Sequence, residues 1–206
     1  MAQYTKNPPL VEAEVLRDPL AQFAAWLKDA ERAEMIEPTA MTLATVDADG
    51  RPSARVVLLK GLQQGALQFF TNYDSRKAAA LAANPFAAAT FWWDRLERSV
   101  RFEGRVQKLS AEVSTEYFHS RPRGSQIGAW TSQQSQVVDS RATLDARLAA
   151  NQQRFAEGEI PLPSFWGGYA LVPDRIEFWQ GRDNRLHDRL RFERAAHGWQ
   201  LLRLEP

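Results

Sequence analysis

Between Ser99 and Lys108 the chain reads Ser-Val-Arg-Phe-Glu-Gly-Arg-Val-Gln-Lys, with Val100, Phe102, Gly104 and Val106 at one parity and Arg101, Glu103, Arg105 and Gln107 at the other. A period of two belongs to a β-strand, whose successive side chains point to opposite faces; a helix would scatter these residues around its axis. One dry face and one wet face mark an antiparallel sheet, because parallel strands covered by helices on both sides read as continuous apolar runs. This strand is expected to bury one face and wet the other, and the expectation for the whole chain is a mainly β fold with peripheral helices.

The flanking segments fit that plan. Residues 41–46 and 53–60 are predicted strands around the turn Asp47-Ala-Asp-Gly50, residues 62–65 turn into a strand at 66–71, and 91–93 pairs with 99–108. Strands at 169–172, 175–179, 190–193 and 199–204 form a second set. Asp18-Pro19 supplies an N-cap and a proline at the first helical position, and Leu20, Phe23, Ala24 and Leu27 follow at helical spacing. Further helices are predicted at 75–83, capped by Ser75, at 111–120, and at 141–155, capped by Ser140 and closed by Gly158.

At 206 residues the chain fits one domain, 1–206, in the size range of single barrels. With 26 basic against 25 acidic residues there is no global field to attract nucleic acid or an anionic membrane, so positive charge matters only where it clusters. A nucleic-acid platform built on Trp92, Trp93, Arg95 and Arg98 is the least favoured class for that reason; the tryptophans suit a barrel interior or a subunit contact better. The absence of cysteine excludes disulfides and thiolate chemistry, and His119, His187 and His197 are too scattered for a metal site. No apolar run is long enough for a signal peptide or a membrane span, so a cytoplasmic protein is expected, with residues 1–17 flexible.

Three clusters carry chemistry. In Asn184-Arg-Leu-His-Asp-Arg189, a strand would set Arg185, His187 and Arg189 on one face, two guanidiniums and an imidazole directed at one anionic ligand. The alternative is a solvated edge strand, against which the preceding Phe178 and Trp179 count. In Thr71-Asn-Tyr-Asp-Ser-Arg-Lys77, Arg76 and Lys77 oppose the dipole of the helix they begin, unless an anion binds there; free N–H groups, a hydroxyl and two cations form a phosphate cradle. Side chains extending into water remain an equal alternative. Arg55 and Lys60, in an otherwise apolar strand, are additional candidates or ordinary edge cations. In Tyr117-Phe-His-Ser-Arg-Pro-Arg-Gly-Ser125, Tyr117 and Arg121 are neighbours four apart and Ser125 follows a glycine that lets the chain turn back, a set suited to a phosphate monoester. A tyrosine packed on its helix, with an arginine complementing the dipole, is the ordinary alternative. Two phosphate-suited clusters and a cationic strand suggest two phosphorylated ligands.

Taken in order, Arg55-Val-Val-Leu-Leu-Lys60, Thr71-Asn72 with Ser75-Arg-Lys77, Tyr117-Phe-His-Ser-Arg-Pro122, Ser125-Gln-Ile-Gly128, Gln134-Ser135, Ser164-Phe-Trp-Gly-Gly168 and the stretch 177–189 resemble the pyridoxamine 5′-phosphate oxidase family. The resemblance runs over nearly the whole chain. It implies an antiparallel, Greek-key-like split β-barrel, an obligate homodimer, and FMN bound at the subunit interface. It also implies oxidation of pyridoxamine or pyridoxine 5′-phosphate by O2 to pyridoxal 5′-phosphate, with release of hydrogen peroxide. By position, the resemblance assigns FMN to Arg55, Val56, Val57, Leu58, Phe70, Thr71, Arg76 and Lys77, and to a further set, Gln134, Ser135, Trp179 and Arg189, with the two sets drawn from different subunits. The substrate falls to Lys60, Tyr117, Arg121 and Ser125 at its phosphate, and to Arg185, Leu186 and His187 over its ring, with Arg185 and His187 catalytic.

Two positions depart from the family pattern: Phe70 stands where tyrosine is usual, and Ser99 where a flavin-contacting glutamine is usual. Tyr4-Thr-Lys6 is similar to a segment that folds over the active site in the family. A split-barrel flavoprotein with another substrate, or a non-catalytic pyridoxal phosphate-binding protein, are the competing readings.

Overall fold

The computed structural model describes Tyr4 and residues 6–206; Thr5 of the N-terminal motif, and residues 1–3 of the stretch expected to be flexible, lie outside the described residues. The chain runs through α1 (Pro19–Arg32), β1 (Ala40–Val46), β2 (Pro52–Leu58), β3 (Gly61–Gln63), β4 (Ala66–Asn72), α2 (Arg76–Ala83), β5 (Phe86–Trp93), β6 (Arg98–Lys108), α3 (Ala111–Ser120), α4 (Arg123–Thr131), α5 (Arg141–Arg154), β7 (Trp166–Gln180), β8 (Asp188–Ala195) and β9 (Gly198–Leu204). The nine strands make one antiparallel sheet in the order β2-β1-β5-β6-β7-β4-β3, with β8 joined to β7 and β9 to β8.

The predicted alternation of β6 is realised. Val100, Phe102 and Val106 are buried, while their odd-numbered neighbours face partly or wholly outward. Gly104 has a second role at the sheet's one irregularity. The β6–β7 register shifts between Glu103 and Gly104, and a Cβ at 104 would lie 2.1 Å from the Val172 carbonyl oxygen. This bulge absorbs Pro173, which has no N–H to give a ladder. The two short strands predicted on either side of Pro173 are therefore a single strand of 15 residues. Its first half pairs with β4 and its second half with β8, and the sheet curls around a shared core.

Other departures are local. Residues 59–60 leave the predicted strand: the Leu59 N–H bonds to Thr39, and the Lys60 N–H crosses to Gln68 of β4. The turn predicted at 62–65 is a β3–β4 hairpin closed by Gln64 and Gly65, both at positive φ as a type I′ turn requires. Pro122 ends α3 but opens α4, a helix that residues 123–131 did not announce.

α1 closes one end of the core, its Phe23 ring 4.9 Å from both Phe91 and Phe102. Trp93 is buried there, whereas Trp92 points to the opposite face and is half exposed. Where looseness was expected, residues 6–12 lie against the sheet as a strap. Asn7 bonds the Leu96 carbonyl, Arg182 and Gln180 bond the carbonyls of Asn7 and Pro8, and the Leu10 N–H bonds Asp188. Arg203 grips the strap from β9 through Glu12 and the Leu10 carbonyl, and that hydrogen bond holds the Glu12 carboxyl down at about 2. No helix among the described residues is long and apolar enough to cross a membrane.

Candidate functional site

A cleft of about 760 Å³ lies between the outer edge of β2, the end of β4, the start of α2, the α3–α4 junction and the loop after α4. β2 stands at the end of the sheet path and pairs with β1 alone, so its free edge offers backbone hydrogen-bonding groups to the cleft. Arg55, Val56, Val57, Leu58, Lys60, Phe70, Thr71, Arg76, Lys77, Tyr117, Arg121, Ser125, Gln134 and Ser135, all singled out in the sequence, line this one cavity. Pro122 and Trp166 complete it.

The lining holds five cations and no carboxylate. At one end Ser75 caps α2 by accepting from the Ala78 N–H, which aims the first turn of the helix into the cleft. Lys77 is buried there, its Nζ donating to Thr71 Oγ1 at 2.8 Å, Ser75 Oγ at 3.1 Å and Gln134 Oε1 at 2.5 Å. These partners are neutral, and burial together with the nearby Arg55 charge pulls its pKa down to about 8. Arg55 is likewise lowered, by burial and by Arg76, while it donates to Thr45 Oγ1, Ser53 Oγ and the Leu43 carbonyl. The Arg76 N–H donates to Ser135 Oγ at 3.2 Å. Three mutually repelling cations gathered at a helix N-terminus are an arrangement that a phosphate would stabilise.

At the other end, aromatic rings take the place of counter-ions. Phe70 stacks on Tyr117 at 3.8 Å, and the Tyr117 and Trp166 rings are parallel within 3°. The Arg121 guanidinium lies 4.6 Å over Trp166, and its buried Nη1 has no hydrogen-bond partner among the described residues. Burial lowers Arg121 and raises Tyr117, so the tyrosine keeps its proton and remains a donor at neutral pH. Ser125 sits in the first turn of α4 beside them. An orphaned guanidinium, a phenol, a hydroxyl and Lys60 form a second anion seat in the same cleft.

Residues 27–154 match the family described as pyridoxamine 5′-phosphate oxidase, and residues 166–206 match the pyridoxine 5′-phosphate oxidase C-terminal dimerisation region. Pyridoxine/pyridoxamine 5′-phosphate oxidase of Burkholderia multivorans is 58% identical over 200 residues, 96% of this chain and 93% of that protein. The enzyme of the same name from Salinibacter ruber is 58% identical over 195 residues, 93% of this chain and 91% of its own. The chain belongs to the pyridoxamine 5′-phosphate oxidase family. Among solved structures, PhzG from Burkholderia lata in complex with tetrahydrophenazine-1-carboxylic acid superposes with a TM-score of 0.90 at 28% identity, covering 96% of this chain and 98% of that one. An FMN-binding, oxidase-related protein from Nostoc punctiforme shares the fold, with a TM-score of 0.73 at 16% identity over 91% of this chain and 97% of its own. The curled antiparallel sheet is thus the split barrel of an FMN-binding family. The donor set at the first anion seat fits the phosphate of that cofactor.

The remaining candidates, Trp179, Arg185, Leu186, His187 and Arg189, line no part of this cleft. Thr71 pairs with Gly167, and Trp179 lies twelve residues further along β7, on the order of 40 Å of strand. Trp179 and Arg189 line a separate, smaller cavity with Thr90, Trp92, Ser99, Arg101, Glu177 and Pro206. There Arg189 donates to Glu177 Oε1 at 2.8 Å and to the Glu205 carbonyl.

Two expectations are corrected here. Gln134 and Ser135 do not group with Trp179 and Arg189; they meet Lys77 and Arg76 within one chain, because the loop after α4 folds back over α2. Residues 184–189 are not one strand. Asp183–Arg185 form a 3-10 turn with Asn184 and Arg185 at φ of 56° and 63°, and β8 begins only at Asp188, so Arg185, His187 and Arg189 do not share a strand face. His187 is seated against Trp179 at 4.7 Å and Tyr4 at 5.6 Å, and its Nδ1 accepts from the Arg182 N–H, which leaves the imidazole proton on Nε2. Trp166 lines the cleft although the sequence quoted it only within Ser164-Phe-Trp-Gly-Gly168 and gave it no site role. Its signal was the Trp-Gly-Gly run at the head of a strand, since a Cβ at Gly168 would sit 2.7 Å from the Phe70 ring.

Proposed function

We propose that the chain is an FMN-dependent oxidase that converts pyridoxamine and pyridoxine 5′-phosphates to pyridoxal 5′-phosphate with O2. The observation that carries this reading is a cleft with two anion seats and no carboxylate, one seat for the phosphate of the cofactor and one for that of the substrate. Arg55, Arg76, Lys77, Thr71, Gln134 and Ser135 hold the first phosphate; Val56, Val57, Leu58 and Phe70 flank the flavin. Lys60, Tyr117, Arg121 and Ser125 hold the second, with charge-assisted hydrogen bonds worth roughly 1.5–3 kcal/mol each. Anchoring the phosphate, remote from the reacting carbon, orients C4′. FMN held there would supply the two-electron oxidising power, with O2 as the final acceptor, so that the alcohol would yield aldehyde and hydrogen peroxide, and the amine, with water, ammonia as well.

Arg185, Leu186 and His187 reach this cleft from a second copy of the chain, with Trp179 and Arg189 flanking the flavin from the same side. That assignment rests on the separation of the two residue groups within one chain and on the match of residues 166–206 to a dimerisation region. Arg185 pins the pyridine ring and stabilises negative charge near C4′. His187 offers an Nε2 proton to the substrate, its tautomer set by the Arg182 backbone.

The test is to follow pyridoxal phosphate and peroxide from each phosphorylated substrate in air with the FMN-loaded protein. Equimolar product and peroxide are expected. A loaded protein that forms neither refutes the reading, and one that only binds pyridoxal phosphate is a carrier. The likeness to PhzG favours one other substrate class, a reduced aromatic carboxylate such as the ligand of that structure. The second seat, with four donors, suits a three-oxygen dianion better than a carboxylate, and running both substrates side by side separates the two.

A further inference from the structure

Arg121 is held in an unusual way for a half-buried cation. Among the described residues no carboxylate pairs with it; instead its guanidinium lies over the face of Trp166 at 4.6 Å and near Phe118 at 5.7 Å. Its backbone is fixed independently. Arg121 caps α3, and its carbonyl accepts from Gln126 Nε2 at 2.8 Å across Pro122. An acid would hold a guanidinium through its in-plane N–H groups and neutralise it, whereas an aromatic face holds it from above and leaves those donors to a ligand.

Trp166 is only 7% exposed and sits at the first position of β7, paired with Asn72. The two glycines after it give its neighbours room. A Cβ at 167 would lie 2.2 Å from Tyr73 Oη, and one at 168 would strike the Phe70 ring, which stacks on Tyr117. The same indole therefore faces the guanidinium and runs parallel to the phenol ring, at 6.2 Å between centroids.

We propose that Trp166 is a positioning residue for the substrate's phosphate, keeping Arg121 turned toward the anion while leaving the arginine's donors unoccupied. This rests on the functional reading above. It predicts an effect on phosphate affinity transmitted through Arg121, with cofactor binding spared.

The experiment compares wild type, Trp166→Leu, Trp166→Phe, Arg121→Ala and the Trp166→Phe/Arg121→Ala double variant, all loaded with FMN. The readouts are KM for pyridoxine 5′-phosphate, kcat, competitive inhibition by inorganic phosphate, and the FMN dissociation constant. Loss of the aromatic face in Trp166→Leu is expected to raise KM and the phosphate inhibition constant together by about tenfold, with a much smaller fall in kcat; Trp166→Phe raises both by about threefold. FMN affinity stays within about twofold of wild type, and in the Arg121→Ala background Trp166→Phe adds nothing. Wild-type values in Trp166→Leu, or a full Trp166→Phe effect in the absence of Arg121, overturn the proposal. If Trp166→Leu does not fold, the Trp166→Phe/Arg121→Ala cycle decides. If wild type does not oxidise pyridoxine 5′-phosphate, the functional reading fails, and the positioning role is judged by the same cycle from calorimetric binding of inorganic phosphate.

Discussion

Lys77 offers a quantitative test of the first anion seat. It is 7% exposed and surrounded by neutral acceptors and by Arg55, and its pKa falls from 10.5 to about 8. A phosphate at that seat returns the ammonium to an ordinary pKa. FMN binding must then take up protons, about 0.1 per site at pH 7, about 0.5 at pH 8 and about 0.9 at pH 9, if the bound value is restored. Calorimetric titration of FMN in buffers of different ionisation enthalpy measures this uptake. Lys77→Met supplies the baseline, because the phosphate's own titration is common to both proteins.

The same shift governs the FMN-free protein. The folded state binds the Lys77 proton more weakly than the unfolded chain, so burying the charge costs stability throughout the range below about pH 8. That cost is relieved as pH rises from about 8 to 10.5, a gain of roughly 3 kcal/mol from this one group. Urea unfolding of the FMN-free protein across that range should show the gain in wild type and its absence in Lys77→Met. Proton uptake that is flat with pH, or equal in the two proteins, would refute the assignment of Lys77 to the FMN phosphate.

Arg185→Leu is expected to keep its flavin spectrum and lose most turnover; unchanged turnover removes Arg185 from the mechanism. Ser99→Gln is expected to tighten FMN binding, since Ser99 spends its hydroxyl on the Phe91 carbonyl at 2.9 Å while lining the cavity that holds Trp179; equal dissociation constants would sink that idea. Gly168→Ala drives a methyl against the Phe70 ring and Leu109, so a loss of about 1–3 kcal/mol in urea unfolding is expected, and wild-type stability would show that the Trp-Gly-Gly packing is dispensable. Arg203→Ala cuts the grip on Glu12 and Leu10, and faster proteolysis between residues 6 and 17 is the expected outcome; an unchanged rate means the other strap contacts suffice.

Much of this was legible in the chain because it depends on short-range rules. Asp18, Ser75 and Ser140 cap the helices they were expected to cap, since an N-cap is read from residues that touch within one turn. The parity of β6 foretold its buried face. The residues of the cleft could be named one by one because the ordered resemblance to the family assigns those positions; the clustering of cations and hydroxyls alone left ordinary alternatives open. What misled were places where a local signal met a distant partner. Pro173 looks like the end of a strand until Gly104, on another strand, provides a bulge for it. The alternating cations after Asn184 look like a strand, but Asn184 and Arg185 take up left-handed backbone, which the residue pattern does not display.

The sequence by itself determined the two-faced strand β6, the caps and the family, since each rests on periodicity or on an ordered set of residues that needs no knowledge of what lies opposite. Only the tertiary structure decided how the site divides. It put Gln134 and Ser135 with Lys77, sent Trp179 and Arg189 to another cavity, and set the face of Trp166 under Arg121. The physical reason is that a cation's environment is set by whatever the fold brings against it, here an aromatic ring 45 residues away in the chain in place of an acid, and spacing along the chain does not encode that meeting.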